Sequence, residues 1–348
     1  MNHIRGRFRS FTFLLPLFLT LAFTLVSCGG SKTDGRETAV IDNVGYPSAI
    51  YHNGMYYLTV QNDSIDVITL FASPKLADIG KGKKKVILDG RTSKVRTFYS
   101  PDINFFDGKW YIYFEGDDGY STDNHQIFVL ENASENPLEG EWTLHGPVIT
   151  NREWNFSIHP STFTCGGRLY MLWSGWQKRR VESETQCIFI AEMENPYTLK
   201  SERVMLSLPE YEWERQWINS DGMRSAYPIF VNENPQCVLS PDGRNVVIFY
   251  SASGIWTEFT SLGMLYAPAT ANLLDPRSWT KLPEPQFTPA PETPDKRSSN
   301  VSVVNNPDEG KSYFIYETRI RANGSFRRGV NITELQWDAN SMPVLGHP

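Results

Sequence analysis

Helical periodicity is scarce in this 348-residue chain, and so are the residue spacings that staple small folds together. Its four cysteines, Cys28, Cys165, Cys187 and Cys237, have no close spacing, which argues against a disulfide framework or a zinc site. Buried thiols are the expectation for the last three. An excess of positive charge is missing too: the formal charge is −6, so electrostatics give no reason to expect a nucleic-acid partner. The basic run Lys81-Gly82-Lys83-Lys84-Lys85 is an exception and reads as a solvated hairpin loop.

The chain opens on an address. Arg5, Arg7 and Arg9 precede an apolar run over residues 11 to 26, interrupted by Pro16 and closed by Leu25-Val26-Ser27-Cys28. That run is short for a spanning helix and ends in small residues before a cysteine, the pattern of a bacterial lipoprotein signal (residues 1–27) cut before Cys28. Cys28 would carry the lipid, anchoring the mature chain to an outer-membrane or periplasmic surface. An ordinary secretory signal or an uncleaved anchor are the alternatives. Residues 28–40 read as lipidated cysteine plus polar tether. Loss of residues 1–27 removes three arginines and no acids, taking the formal charge to −9.

From residue 41 to 348 the chain is dominated by short aromatic and β-branched alternations punctuated by Gly, Asn and Asp. One unit recurs: apolar strand, glycine turn, aromatic strand. It appears as "YPSAIYHNGMYYLTV", "SPDINFFDGKWYIYF", "HPSTFTCGGRLYMLW", "NPQCVLSPDGRNVVIFYSAS" and "SVVNNPDEGKSYFIYET", with turn glycines at Gly54, Gly108, Gly167, Gly243 and Gly310. In the first three units a proline (Pro47, Pro101, Pro160) stands seven residues before that glycine. Asn-Gly and Asp-Gly turns supply the positive φ of a tight hairpin. Further strand-like runs, "IDVITLFAS", "HQIFVLENA", "QCIFIAEME" and "SLGMLYAPA", lie between the units. Five similar sheets in series predict an all-β fold, a five-bladed β-propeller. Tyr46, Asp102, His159, Glu233 and the Ser299-Asn300 pair are then expected near a common axis.

At these residues the chain resembles glycoside hydrolase family 43, from about Tyr46 to Pro348, and most of all its exo-acting arabinan-cleaving members. The stretches "YSPDINFFDGKWYIYF", "YSASGIWTEFTSLGMLYA" and "LLDPRSWTKLPEPQF" carry the resemblance. It implies inversion at a sugar carbon by two carboxyl groups, one protonating the leaving oxygen and one activating water across a gap of ~6.5–9.5 Å. By the same resemblance the base is an Asp in the first unit, a tuning Asp opens the third, and the acid is a Glu in the fourth. Only the acid survives, as Glu233. Tyr46 takes the base position and His159 the tuner position. Ser299-Asn300-Val301 replaces a usual Gly-His-Asn, and Glu317 stands where a histidine is common.

Glu233 is therefore the expected proton donor, because a carboxyl in an apolar funnel keeps its proton near neutrality. His159 could accept one, since imidazole titrates near ~6.5. Tyr46, with an ordinary pKa of ~10, suits stacking or hydrogen bonding better than basic catalysis. Glu115, Asp117 and Asp118 are candidate replacement acids. Asp102, Asn300, Trp176, Arg319 and Arg224 are candidate substrate contacts. Trp110, Trp173, Trp213, Trp217 and Trp256 could stack on sugar or pack between blades. Residues 209–230, longer than a hairpin needs, read as a lid or subsite wall. No cofactor is expected, with a structural calcium left open, and a monomer is expected. A rewired glycoside hydrolase, a catalytically silent cell-surface glycan binder and a Tyr/His polysaccharide lyase are the three functional readings.

Overall fold

Each glycine-turn hairpin forms the first two strands of an antiparallel blade. The computed structural model describes residues 39–62, 65–178, 183–219, 221–257, 259–289, 297–322 and 325–348. Cys28 and the expected signal (residues 1–27) lie outside them. Blade 1 runs Gly45–His52, Met55–Asn62, Val67–Ser73 and Lys83–Asp89, and blade 2 runs Arg96–Phe106, Lys109–Asp117, Gln126–Asn132 and Thr143–Val148. Blade 3 is Ser157–Cys165, Arg168–Gly175, Glu184–Asn195 and Val204–Ser207, and blade 4 is Arg224–Leu239, Asn245–Ala252, Ser261–Pro268 and Thr280–Lys281. Blade 5 is Arg297–Asn306, Lys311–Ala322, Ser325–Trp337 and, as its outermost strand, Ile41–Asp42 from the other end of the chain. The expected propeller is the observed fold. Each first strand touches the first strands of the blades on either side, the fifth meeting the first.

The five turn glycines all have φ between 63° and 76°, in Asn-Gly, Asp-Gly, Gly-Gly and, at Gly310, Glu-Gly contexts. The aromatic runs are second strands buried on both faces. In blade 2, Trp110, Ile112 and Phe114 face the core shared with blade 1, while Tyr111 and Tyr113 face the core shared with blade 3. Period-two alternation therefore feeds two interfaces from one strand. Cys165 and Cys187 are buried, Cys237 is half-buried, and all three are free thiols.

The lysine run is not a hairpin loop. Lys81 ends a short 3-10 helix, Leu76–Lys81, and Lys83 to Lys85 begin the outermost strand of blade 1. Exposed lysines suit that position because they discourage a free sheet edge from pairing with another chain.

A second regularity positions the site. Tyr46, Ser100, His159, Asn234 and Asn300 occupy the same place in the five first strands, and each is left-handed, with φ between 48° and 53°. Four of them precede a proline and the fifth precedes Val301. Pairing with the second strand skips a step at each of these points, so each is a β-bulge. Residues at or before the bulge face one end of the axis, and later residues line a narrow channel of about 250 Å3 towards the other.

This corrects the expectation for Asp102. Its blade's left-handed residue is Ser100, and Asp102 lies beyond the bulge, lining the channel instead of the opposite opening. Its carboxylate accepts hydrogen bonds from Ser48 Oγ (3.0 Å), Thr162 N (2.9 Å) and Asn104 Nδ2 (2.7 Å), tying blades 1, 2 and 3 together. Burial outweighs these bonds and pushes its pKa up to about 7. The raised value makes Asp102 a source of stability that is complete below its unfolded value of 3.8 and lost as pH climbs through about 7. Urea midpoints of Asp102→Asn should accordingly fall less steeply between those two values than those of the parent. Equal slopes would show that Asp102 does not hold its proton in the channel.

Candidate active site

The left-handed residues put their amides where the neighbouring blade can reach them. Tyr46 N donates to Glu317 Oε2 (3.2 Å), His159 N to Glu115 Oε2 (2.5 Å), Asn234 N to Ser174 Oγ (3.1 Å) and Asn300 N to Ser251 Oγ (3.2 Å). Glu317, Glu115, Ser174 and Ser251 hold the same position in their own second strands, opposite Ser299, Tyr99, Ile158 and Glu233 respectively. Side-chain caps thus hold four of the five bulges; at Ser100 the matching residue, Gln61, makes no side-chain hydrogen bond among the described residues. Two of the caps are carboxyl groups: Glu115 borders the axial pocket, while Glu317 is fully buried and bonded to two arginines that line it.

That pocket, about 570 Å3, opens at the bulge end of the axis. A larger groove of about 760 Å3 lies between the outer parts of blades 1 and 2, but it brings together no acid pair of this kind. In the axial pocket, Glu233, Glu115 and His159 meet at the floor. His159 Nε2 is 3.6 Å from Glu115 Oε1, and its Nδ1 is 3.6 Å from Glu233 Oε2. Both distances are too long for direct hydrogen bonds. Glu233 Oε1 accepts from Ile255 N (2.7 Å), whereas Glu233 Oε2 and His159 Nδ1 have no partner although both are buried. Unsatisfied buried polar atoms are costly, so their convergence on a pocket marks where a ligand's polar atoms belong.

Burial sets the protonation states. Glu233 is pushed up to about 8 by burial, against the hydrogen bond from Ile255 and the positive charge of Arg319. Glu115 is also pushed up to about 8, chiefly by burial and in part by Glu233. His159 is pulled down to about 3 by burial and His125, so its ring is neutral at physiological pH. Tyr46, beyond reach of ordinary deprotonation because burial raises it strongly, holds its ring 6.0 Å from that of His159 and 5.7 Å from that of Tyr99.

Opposite this acid pair stand two guanidinium groups. Glu317, fully buried, accepts from Arg319 Nε (2.8 Å), Arg328 Nε (2.7 Å), Arg328 Nη2 (3.0 Å) and Asn300 Nδ2 (2.7 Å) besides Tyr46 N. Arg328 also lies 5.0 Å over the Tyr46 ring, a cation–π arrangement. Gly45 makes room for it: a Cβ there would fall 1.8 Å from Arg328 Nη2.

Of the expected substrate contacts, Trp176 and Arg319 line the pocket, Trp176 stacked on Phe156 at 3.9 Å. Asn300 does not; it lies fully buried, bridging Asn234 Nδ2 (2.8 Å) and Glu317. Arg224 is exposed at the start of the strand that carries Glu233 nine residues later, ~30 Å away at the rise of an extended chain. Asp117 faces His125 at 3.7 Å and Asp118 caps a surface turn, and neither lines the pocket. Within residues 209–230, Arg215–Ile218 pairs back onto Arg224–Leu239, and Tyr227 and Ile229 join the pocket wall. Trp256 is a half-exposed part of that rim, while Trp110 and Trp173 are blade core. Among the described residues no cluster of three or more His, Cys, Asp or Glu is arranged to hold a metal ion. Arg328 was not singled out from sequence. Its signal was its placement: Arg319 and Arg328 are equally distant from the Asn323-Gly324 dipeptide, and they face each other in register.

The sequence pattern of glycosyl hydrolases family 43 matches residues 40–343, and the chain belongs to that family. It is 29% identical over 304 residues to an extracellular exo-α-(1→5)-L-arabinofuranosidase of Streptomyces avermitilis, covering 85% of this chain and 60% of that one. A protein of the same description from Streptomyces chartreusis is 33% identical over 238 residues, covering 68% of this chain and 67% of its own. The chain thus spans about three fifths of the length of the first of these relatives. Among solved structures, an α-L-arabinofuranosidase from Lactobacillus brevis superposes with a TM-score of 0.76 at 26% identity, covering 89% of this chain and 95% of that one.

Removing the Glu317 charge would leave two buried guanidiniums facing each other across one hairpin. Glu317→Gln, nearly the same shape, is expected to lose about 3–5 kcal/mol of unfolding free energy in urea titration. A loss below ~1 kcal/mol would mean that the cluster behaves like an exposed ion pair.

Proposed function

We propose that the chain is an exported glycoside hydrolase, arabinofuranosidase-like in ancestry and altered in its base, held at the cell envelope through Cys28. The observation that carries this reading is the pair of unpartnered buried atoms, Glu233 Oε2 and His159 Nδ1, facing the axial pocket. Glu233, protonated at neutral pH, donates its proton to the leaving glycosidic oxygen. His159 lies 3.6 Å from that acid, beside it instead of across a sugar from it, so its work is to shape the acid's surroundings. Glu115 is the base. An imidazole ring stands between the two carboxyl groups, and a ring with a contact on each side gives a separation of the order of the ~6.5–9.5 Å of inverting enzymes.

Each carboxyl then has one task. The working state has Glu115 ionised and Glu233 protonated, and it is most populated where the two titrate, at about pH 8. Glu115 takes a proton from water as the water oxygen bonds to the anomeric carbon, the sugar–oxygen bond breaks and Glu233 gives its proton to the departing oxygen. Tyr46 contributes a face and a hydroxyl to sugar binding. The aromatic wall of Phe156, Trp176 and Tyr227 offers the C–H-binding surface that sugar rings stack on. The extracellular descriptions of the Streptomyces relatives and the lipoprotein-like start of the chain support export.

Glu233→Gln should abolish sugar release from an oligosaccharide panel, and NMR of the parent reaction should show inversion at the anomeric carbon. Glu115→Gln keeps a carbonyl for the His159 amide, so the fold is retained while turnover falls by about 10²–10⁴. In Glu115→Ala, where truncation opens space, azide should restore part of the lost activity if Glu115 is the base, since a small anion can occupy the vacated position; a purely structural cap would not respond. The parent rate should rise as pH climbs towards about 8, where Glu115 becomes ionised, and decline above it, where Glu233 loses its proton. Glycan affinity in calorimetry with no product after long incubation would replace this reading with that of a silent binder.

A further inference from the structure

The turn that holds the acid also carries an indole to the mouth of the pocket. Ser253 and Gly254, just after the second strand of blade 4, are both left-handed, with φ of 63° and 77°. Ser253 N donates to Val231 O (3.0 Å), its Oγ donates to Trp213 O (2.7 Å), and its O accepts from Thr257 Oγ1 (2.7 Å). Thr257 N closes the turn by donating to Gly254 O at 3.0 Å. Inside it, Ile255 N donates to Glu233 Oε1 (2.7 Å), and Ile255 O accepts from Arg319 Nη1. Trp256 comes next in the chain. Its ring lies so close that a Cβ on Gly254 would sit 3.0 Å from both Cε2 and Cζ2 of the indole, so the glycine both permits the backbone and seats the ring.

The indole so fixed covers nothing in the protein. Trp256 is 48% exposed, and among the described residues its side chain has no ring partner, hydrogen bond or cation. The other pocket indole is already covered, because Trp176 stacks on Phe156 and meets Trp154 edge-on at 5.6 Å. Apolar surface left in water costs free energy in proportion to its area, and an aromatic face held rigid in advance loses little entropy when a ligand covers it. Direction comes from Glu233. Its Oε1 is occupied by Ile255, so Oε2 is the atom left for the leaving oxygen. The floor is closed by His159 and Glu115, so the sugar attached to that oxygen extends from Glu233 towards the opening, along the wall formed by the acid's own turn. Resting on the reading of Glu233 as the acid, we propose that Trp256 is the platform for the leaving sugar. Its indole stacks on the C–H face of the residue that departs, so the substrate carries a sugar on both sides of the cleaved bond. A leaving group without a ring forgoes that contact.

Affinity tests this, whereas the hydrolase reading is decided by product release, so the two can fail separately. The full mature chain bearing Glu233→Gln, whose side-chain oxygen can still accept from Ile255, is titrated by calorimetry with arabinobiose, xylobiose and galactobiose and with the methyl glycoside of each sugar. Each pair fills the floor alike and differs only in the leaving sugar. At least one disaccharide should bind tenfold or more tighter than its methyl glycoside. Adding Trp256→Ala should reduce that gain to less than twofold, and Trp256→Phe should keep most of it. If Trp256 merely shaped the turn, Trp256→Ala would weaken methyl glycoside and disaccharide by the same factor and leave the gain in place, which overturns the proposal. So does a panel in which no disaccharide binds better than its methyl glycoside. A gain lost with the indole, in a chain whose parent releases no product, upholds the platform and removes only the hydrolase reading.

Discussion

Everything at the functional end of this propeller depends on a backbone amide that turns out of its own sheet and is caught by the next one. A left-handed residue other than glycine costs about 1–3 kcal/mol, and a tyrosine or histidine is a bulky choice for such a backbone. In four of the five bulges a side chain from the preceding blade accepts the freed N–H, so one contact both relieves a buried donor and ties two blades together. The same geometry throws the side chains of Tyr46 and His159 towards the axis. Where the cap is a serine, as at Ser174 and Ser251, the contact is only structural. Where it is Glu115, the scaffold brings a carboxyl group to the pocket as well, and where it is Glu317, the buried carboxyl holds two arginines that line it.

The two carboxyl caps show how environment divides one residue type into two jobs. Glu115 has the neutral ring of His159 beside it and Glu233 nearby, so burial dominates and the proton is kept. Glu317 has two guanidiniums, an amide side chain and a backbone N–H, a set that suits a charged carboxylate. Neither difference is visible in the capping geometry itself. The neighbours decide it, and they come from different blades.

The propeller was legible in the sequence because turn glycines, prolines and double-sided aromatic strands are local signals repeated five times. The meeting of Glu233 and His159 in one pocket was legible because His159 immediately precedes the proline of its unit and Glu233 stands two residues before that of its own. Asp102 was misplaced for a physical reason: a bulge reverses which side of the chain faces the pocket, so an acid after the proline lines the channel while its counterpart before the proline is Ser100. Asn300 keeps the expected register, but its amide is consumed by Asn234 and Glu317 beneath the surface. Arg328 could have been reached only by folding the last hairpin about Asn323-Gly324 and asking what two arginines in register would need between them. Pattern within a segment was informative; partnership across segments was not.

The closing strand has a further consequence. Ile41–Asp42 completes blade 5 by pairing with Gly329 and Val330, and Asn43 N donates to Arg328 O at 3.0 Å. The pocket wall joins Tyr46 to Arg328, residues separated by nearly the whole domain. During synthesis, early blades can collapse on their local hairpins, but the axial pocket is not closed until residue 330 has emerged and met the waiting strand Ile41–Asp42. A prematurely truncated product is therefore an open ring without a binding floor, and competence arrives in a single late event.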